Sequence, residues 1–393
     1  MKEAARSRFE LGEYAASEAE FQETLTVTHR IEPGPSAWEI APLAQIAGVQ
    51  AELLNLDDAE RNFRASWALS RKLNGETHNE TLQSAARLGA FLHNTARAAE
   101  GRRLLADALA EIERDPSKQE NSVAAVVYGL YGQALAADGQ LEAAAGLFTR
   151  ELNYVRHLYP ESTLLSRALL HRGVLYTALG RYDAAADALD EGGKTWRDIA
   201  GTAAEPSLNN PFVLAHAQLE LARGDPSAAI AALSDLRPPA TVSHLPLAVD
   251  DIGARIVGAQ AQLSLEQPDE AAHAARNALD VIVRSSLRMR FQLLEASAAL
   301  VLGRALERNG DAAHARPNLE RALQLREASA GGASPWVGEA EVALANCLLD
   351  LGDRDRARSL IEKAAAAFAS QSELGAQFKQ PAAALARRLG HAG

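Results

Sequence analysis

Gly173-Val174-Leu175-Tyr176-Thr177-Ala178-Leu179-Gly180-Arg181-Tyr182-Asp183-Ala184-Ala185-Ala186-Asp187-Ala188-Leu189 is the stretch on which the fold turns. Gly180 marks a tight turn. Seven residues before it stands a small residue, Gly173; five after it another, Ala185; nine after it a bulky one, Leu189. The same order recurs with markers at Gly12, Leu54, Ala96, Gly139, Gly180, Gly224, Glu266, Gly310 and Gly352, at intervals of 41 to 44 residues. Self-similarity at such a spacing is the signature of stacked supersecondary units.

Positions not used to set the register obey it. Seven before each marker come Ala5, Ala47, Gly89, Gly132, Gly173, Ala217, Ala259, Gly303 and Ala345; five after come Ser17, Ala59, Gly101, Ala144, Ala185, Ala229, Ala271, Ala315 and Ala357. Nine after, the column is large except at Ala275: Phe21, Phe63, Leu105, Phe148, Leu189, Leu233, Leu319 and Ile361. Two antiparallel helices approach within ~8–10 Å where a small side chain on one meets a large one on the other. Each unit therefore reads as helix A, turn, helix B, and units must stack because neither helix buries its apolar face alone.

This small–turn–small–bulky spacing resembles the tetratricopeptide repeat. The period, with Leu73-Asn74-Gly75-Glu76-Thr77-His78-Asn79-Glu80-Thr81-Leu82 and Tyr159-Pro160-Glu161-Ser162-Thr163 at repeat junctions, is similar to the kinesin-light-chain subtype. The resemblance implies an all-α fold: a right-handed α-α superhelix, one solenoid over 1–393 of about nine helix pairs, with 372–390, interrupted by Pro381, as a capping helix. It also implies that the A helices line the concave face. Where relatives carry an Asn pair that grips peptide backbone, this chain has Ala86-Arg87, Gly129-Leu130, Leu170-His171 and Val342-Ala343, so that ladder is not expected here.

Composition agrees with helices. Hydrophobic residues make up 47% of the 393, carried by Ala and Leu, and aromatics only 5%. A net charge of -11 argues against a nucleic-acid or anionic-membrane surface. The charged start, Met1-Lys2-Glu3-Ala4-Ala5-Arg6, lacks the apolar core of a signal peptide, and no run reaches the ~18 apolar residues of a membrane span. The expectation is a cytoplasmic protein, or a periplasmic one if the chain follows a membrane anchor. The first helix A is shorter than the others, which suggests the tail of a longer protein or a docking end.

Breakers mark the joints at Pro33-Gly34-Pro35-Ser36, Asp115-Pro116-Ser117, 201–211 and 331–335. Arg237-Pro238-Pro239-Ala240 ends the sixth helix B early and predicts a hinge-like loop to Asp250; Ser285-Ser286 marks the seventh joint. Trp38 and Trp336, each opening a helix A, read as staples across the preceding helix B.

No signature of chemistry accompanies the repeats. The ten His and the lone Cys347 are scattered, with no His-Glu-x-x-His, P-loop or Gly-x-Ser-x-Gly element. His273 and His314 read as surface or packing residues and Cys347 as a small core residue. No catalytic residue, metal site or cofactor is expected, and an enzyme is only the residual reading.

The inner surface remains. The residue after the small helix-A position projects inward, and that column offers Gln133, Gln218, Gln260, Arg304 and Asn346. Arg167 and His171, four apart on the fifth helix A, join them; Arg304 also has Glu307 one turn on as a natural ion-pair partner. Evenly spaced amides can pair with the backbone of an extended chain. The function expected is a scaffold that binds a protein or peptide segment in its groove, without nucleic acid or membrane insertion. The alternative is a sensor module of a larger bacterial signalling protein.

Overall fold

The computed structural model describes the backbone of all residues except 1, 11, 96, 120, 202–208, 238–244, 285–291, 331–333 and 391–393. Among the described residues there are nineteen α-helices, two short 3-10 turns and no strand. They form nine A–B pairs: α1 (Lys2–Glu10) with α2 (Tyr14–Ile31), α3 (Ile40–Glu52) with α4 (Leu56–Asn74), α5 (Asn79–Asn94) with α6 (Ala98–Arg114), α7 (Ser122–Ala137) with α8 (Leu141–Leu158), and α9 (Thr163–Ala178) with α10 (Tyr182–Ala200). The series continues with α11 (Asn210–Arg223) and α12 (Pro226–Leu233), α13 (Leu245–Ser264) and α14 (Pro268–Arg284), α15 (Gln292–Arg308) and α16 (Ala312–Ser329), and α17 (Pro335–Asp350) and α18 (Arg354–Ala369). A last helix, α19 (Ala376–Gly390), carries Pro381 inside it and packs on α17 and α18.

One turn geometry joins every pair. The residue after each marker donates its N–H to the carbonyl five residues back, from Glu13 to Arg8 through Arg181 to Tyr176 to Asp353 to Leu348, at 2.8 to 3.0 Å throughout. This is the Schellman end of a helix, and it requires a left-handed residue at the marker. Six of the markers are Gly, with φ between 73° and 87°. Leu54 (φ 68°) and Glu266 (φ 60°) adopt the same conformation despite their Cβ, and Ala96 lies outside the described residues. The turn is therefore imposed by the packing of the helices it joins, strongly enough to hold two side chains where glycine is favoured.

That packing is small against large. The position seven before the marker is buried in all nine repeats, and so is the position five after it. A Cβ added at Gly132 would stand 2.5 Å from the Phe148 ring, one at Gly173 2.5 Å from Leu189 Cγ, and one at Gly303 2.5 Å from Leu319 Cγ. In each case the partner is the bulky residue nine after the marker.

The repeats also meet a full superhelical turn later. The A–B turn of repeat four receives the start of the ninth helix A: Trp336 Nε1 donates to Ala136 O at 3.0 Å, and Pro335 Cδ would lie 2.6 Å from a Cβ at Gly139. The turn of repeat five receives the start of α19: Gly375 N donates to Ala178 O at 3.2 Å and Gln377 Nε2 to Thr177 O at 3.1 Å. Between them Gln371 bridges the turn of repeat four and the start of α8, donating to Gly139 O at 2.6 Å and accepting from Leu141 N at 3.3 Å. The offset is five units in both places, and Asp250 in repeat seven lies close enough to Glu52 in repeat two to feel its charge. The starts of α17 and α19 thus sit on the C-terminal turns of α7 and α9.

Three local expectations change. Trp336 is not a staple on the preceding helix B but an anchor on repeat four, its ring also meeting Phe378 edge-on at 5.3 Å. Trp38, whose repeat has no turn five units earlier in this chain, is 72% exposed. The sixth helix B is indeed short, eight residues, but α13 begins at Leu245 rather than at Asp250, since Pro246 is compatible with a first helical turn. The hinge expected after Arg237 falls mainly on 238–244 and the Ser285-Ser286 joint on 285–291, both outside the described residues.

These contacts can be tested through stability. Gly173→Leu should overpack the A–B contact and cost ~1–3 kcal/mol, whereas Gly146→Ala on the exposed side of α8, where an added Cβ meets nothing within 4 Å, should stabilise by ~0.5–1 kcal/mol. Denaturant titration of the two variants checks the pair of signs. Gln371→Leu, at a side chain only 7% exposed, leaves Gly139 O and Leu141 N without their partner and should cost ~1–3 kcal/mol in the same assay.

Candidate functional site: the inner face of the A helices

Successive A helices touch one another along the stack, as α5 does α7, α11 does α13 and α13 does α15. The A helices therefore form the inner layer, and the B helices the outer one. The residue after each small helix-A position is never in the core: Gly48, Ala90, Gln133, Gln218, Gln260, Arg304 and Asn346 are half-buried, and Arg6 and Val174 exposed. A shared place in the repeat has put these residues on a shared face.

What they do there differs. Gln133 folds back on its own helix, Nε2 donating to Gly129 O at 3.2 Å. Gln218 on α11 and Gln260 on α13 have no side-chain hydrogen-bond partner among the described residues. Arg304 is engaged, and not by Glu307: its Nη1 lies 3.0 Å from Glu339 Oε1 on α17. Arg326 Nη1 takes the other oxygen of Glu339 at 2.8 Å and also donates to Trp336 O at 2.6 Å. Glu307 is drawn away by Asn346, whose Nδ2 donates to it. Asn346 Oδ1 in turn accepts from Arg388 Nη1 of α19 at 2.7 Å, while Arg388 Nη2 reaches Asp350 Oδ1 at 2.6 Å. The last two members of the expected line thus serve the structure's own polar network.

Farther up the stack, Arg167 on α9 is exposed. His171 turns the other way: its ring stacks on Phe148 at 5.5 Å, and its Nδ1, 3.9 Å from the buried Glu151, makes no hydrogen bond. Arg87 on α5, three residues from the inward column and so outside the expected set, is half-buried with no hydrogen-bond or ion-pair partner among the described residues. Its charge faces those of Arg167 and Arg6. The signal that could have found it was the Ala86-Arg87 pair, which stands where relatives carry Asn.

No reactive group stands out. Cys347 is fully buried, and burial together with Glu307 and Asp350 pushes its thiol up to about 11. Among the described residues no three His, Cys, Asp or Glu side chains are placed to hold a metal ion, and no helix is long and apolar enough to cross a membrane.

The acids of the inner layer split by surroundings. Burial, reinforced by Glu52, pushes Asp250 up to about 7; burial pushes Glu341 up to about 7, Lys363 opposing; burial and neighbouring Asp350 raise Glu307. For Glu339 burial works the same way, but Arg326 and Arg304 outweigh it and hold the carboxyl down to about 2. The first three keep protons in the folded state that the unfolded chain releases near its ordinary carboxylate values, so stability falls as pH rises from about 4.5 to about 7. Glu339 acts oppositely, its contribution being lost as pH falls from about 4.5 towards 2. The melting temperature should therefore be higher at pH 5 than at pH 8 and drop again below pH 4, and Glu307→Gln should flatten the upper slope. Calorimetric scans across that range check both limbs.

Residues 294–370, which are repeats eight and nine, match the family model described as tetratricopeptide repeat. No curated protein matches the chain significantly. Among solved structures, a Rap protein complexed with competence and sporulation factor is 14% identical, with a TM-score of 0.58 over 90% of this chain and 99% of that one. A tetratricopeptide repeat protein from Parabacteroides merdae is 16% identical over 74% of this chain and 98% of that one, at a TM-score of 0.43. NprR in complex with its cognate peptide NprX is 16% identical over 77% and 82%, at 0.44. The turn of the matched segment recurs in the seven repeats before it.

Proposed function

We propose that the chain is a non-catalytic scaffold that captures an extended segment of a partner protein along the inner face of its A helices. The observation that carries this is the pair Gln218 and Gln260. They occupy equivalent positions on adjoining helices, half-buried, and their amides have no partner among the described residues. Two such groups at one repeat's spacing can each donate to and accept from the backbone of a chain laid across them. The like-folded Rap protein crystallised with competence and sporulation factor supports a bound partner as the role of this architecture.

In this reading Arg304 and Asn346 hold the floor of the groove rather than the ligand, since Glu339, Glu307 and Arg388 already occupy them. The amide pair and Arg167 are left to meet the segment. Affinity capture with the intact chain and mass spectrometry would identify the partner. Against it, the double variant Gln218→Ala/Gln260→Ala should bind about tenfold more weakly, two hydrogen bonds at ~0.5–1.5 kcal/mol each, with an unchanged melting temperature. Arg304→Ala should instead lower the melting temperature, because Glu339 loses one of its two arginines. A double variant that binds like the parent would remove the groove from consideration.

A further inference from the structure

The A–B turns of this solenoid fall into two states. At Gly139 an added Cβ would meet Ser334 and, at 2.6 Å, Pro335 Cδ, and at Gly180 it would stand 3.1 Å from Gly375 Cα, because a helix start is seated on each turn. At Gly224, Gly310 and Gly352 the same atom would meet nothing within 4 Å among the described residues. These vacant turns have the backbone of the occupied ones, with φ of 87°, 78° and 85° against 81° and 73°. They also close in the same way: Leu221 O, Glu307 O and Leu349 O accept from the marker N–H at 2.9 to 3.1 Å, as Ala136 O does from Gly139 at 3.0 Å. Three carbonyls thus stand in the place where Ala136 O meets Trp336.

The piece that fits such a turn occurs twice. Trp336 is the second residue after the N-cap Ser334, whose hydroxyl accepts from its N–H at 3.3 Å, and Trp38 is the second after the N-cap Ser36, whose hydroxyl accepts from its N–H at 3.2 Å. One indole is half-buried on repeat four; the other is 72% exposed, with no acceptor for its Nε1 among the described residues. Trp38 is nevertheless held in place. Glu39 Oε1 accepts from Ser36 N at 2.9 Å and completes a capping box around it. The short turn packs on α2, whose last residue, Ile31, is also 73% exposed. An ordered indole presented to solvent beside an exposed Ile is the composition of an interface anchor.

We propose that Trp38 docks on a vacant A–B turn of a second copy of this chain, repeating between molecules the contact that Trp336 makes within one. The occupant is a copy because the chain carries both halves of the contact, in the backbone geometry in which they already fit each other. Knob and socket lie on different surfaces, so the contact is heterologous and leaves a free knob or socket on each molecule; assembly therefore proceeds head to tail. An indole brings about 150–250 Å², well short of the ~1,200 Å² of a stable interface, and between molecules it gains nothing from tethering. Association is accordingly weak and grows with concentration. The inference does not depend on the groove reading, since it uses helix ends and turns and leaves the inner face free.

Sedimentation velocity over a series of protein concentrations reads the assembly. The parent should pass from monomer to larger species as concentration rises, and Trp38→Ala should need about tenfold more protein for the same change. The triple variant Gly224→Asn/Gly310→Asn/Gly352→Asn fills the sockets with a residue that enters the left-handed region readily, and should weaken association to the same extent. Mixed together, the two variants should complement each other, because the first keeps its sockets and the second its knob, and form a one-to-one dimer at concentrations where each alone is monomeric. Leu158→Ala, a truncation at an apolar residue 48% exposed at the end of α8, should associate like the parent. Melting curves of the dilute variants should show both folded, with Trp38→Ala at the parent's temperature, since its indole has no seat within the molecule. A parent that stays monomeric up to its solubility limit, equal association by Trp38→Ala and the parent, or a mixture of folded variants that stays monomeric overturns the proposal. So does capture of a different protein through Trp38 by a chain that does not associate with itself.

Discussion

The repeats depend on one contact: a residue no larger than alanine, seven before the turn, pressed against the residue nine after it, which is bulky in every repeat but the seventh. At Gly132, Gly173 and Gly303 the approach leaves no room even for a Cβ. The distance between helices A and B is set there, and the turn must then close over a fixed gap. That is why Leu54 and Glu266 take a left-handed conformation that their side chains disfavour. The cost of one strained residue is ~1–2 kcal/mol, less than opening the buried pair on which the whole repeat rests.

Repetition of that contact makes the architecture legible in the sequence, because size is a property a sequence displays directly. Nine markers, two small columns and one large column correspond to nine helix pairs at the expected places. What stays hidden is what repetition alone does not encode. The meeting of repeat four with repeat nine results from many small rotations between neighbours, none of which leaves a mark in a single repeat. The residues that secure it, Gln371, Gln377 and Trp336, lie at a joint, at the start of α19 and at a helix start, outside the columns. For this reason the sequence singles out Trp336 but points it at the wrong neighbour. The inward column lies outside the buried core, but a column cannot show which members already have partners. Arg304 and Asn346 do, through Glu339 and Arg388, and Arg87, one helical turn off the column, does not.

Charge behaves in the same two-level way. The net value of -11 describes the chain, yet in the inner layer acids are matched locally, Glu339 by Arg304 and Arg326 and Asp350 by Arg388. Most of the ion pairs on the outer face are exposed and contribute little individually. The inner groups are fewer and better shielded from solvent, so their interactions are screened less by salt.

Closure after five repeats has a mechanical consequence for binding. An open solenoid can stretch or coil to fit a ligand, since each joint contributes a small rotation. Here the turns of repeats four and five are tied to the far end of the chain by hydrogen bonds to the Ala136, Gly139, Thr177 and Ala178 carbonyls. Changing the pitch would break several of these at once, each exposing a backbone group. A groove held at fixed pitch is preorganised: the spacing between Gln218 and Gln260 is set before a ligand arrives. A segment would then lose its own conformational freedom on binding without also having to order the scaffold. Tightening the superhelix and shaping the groove are, in this chain, the same physical event.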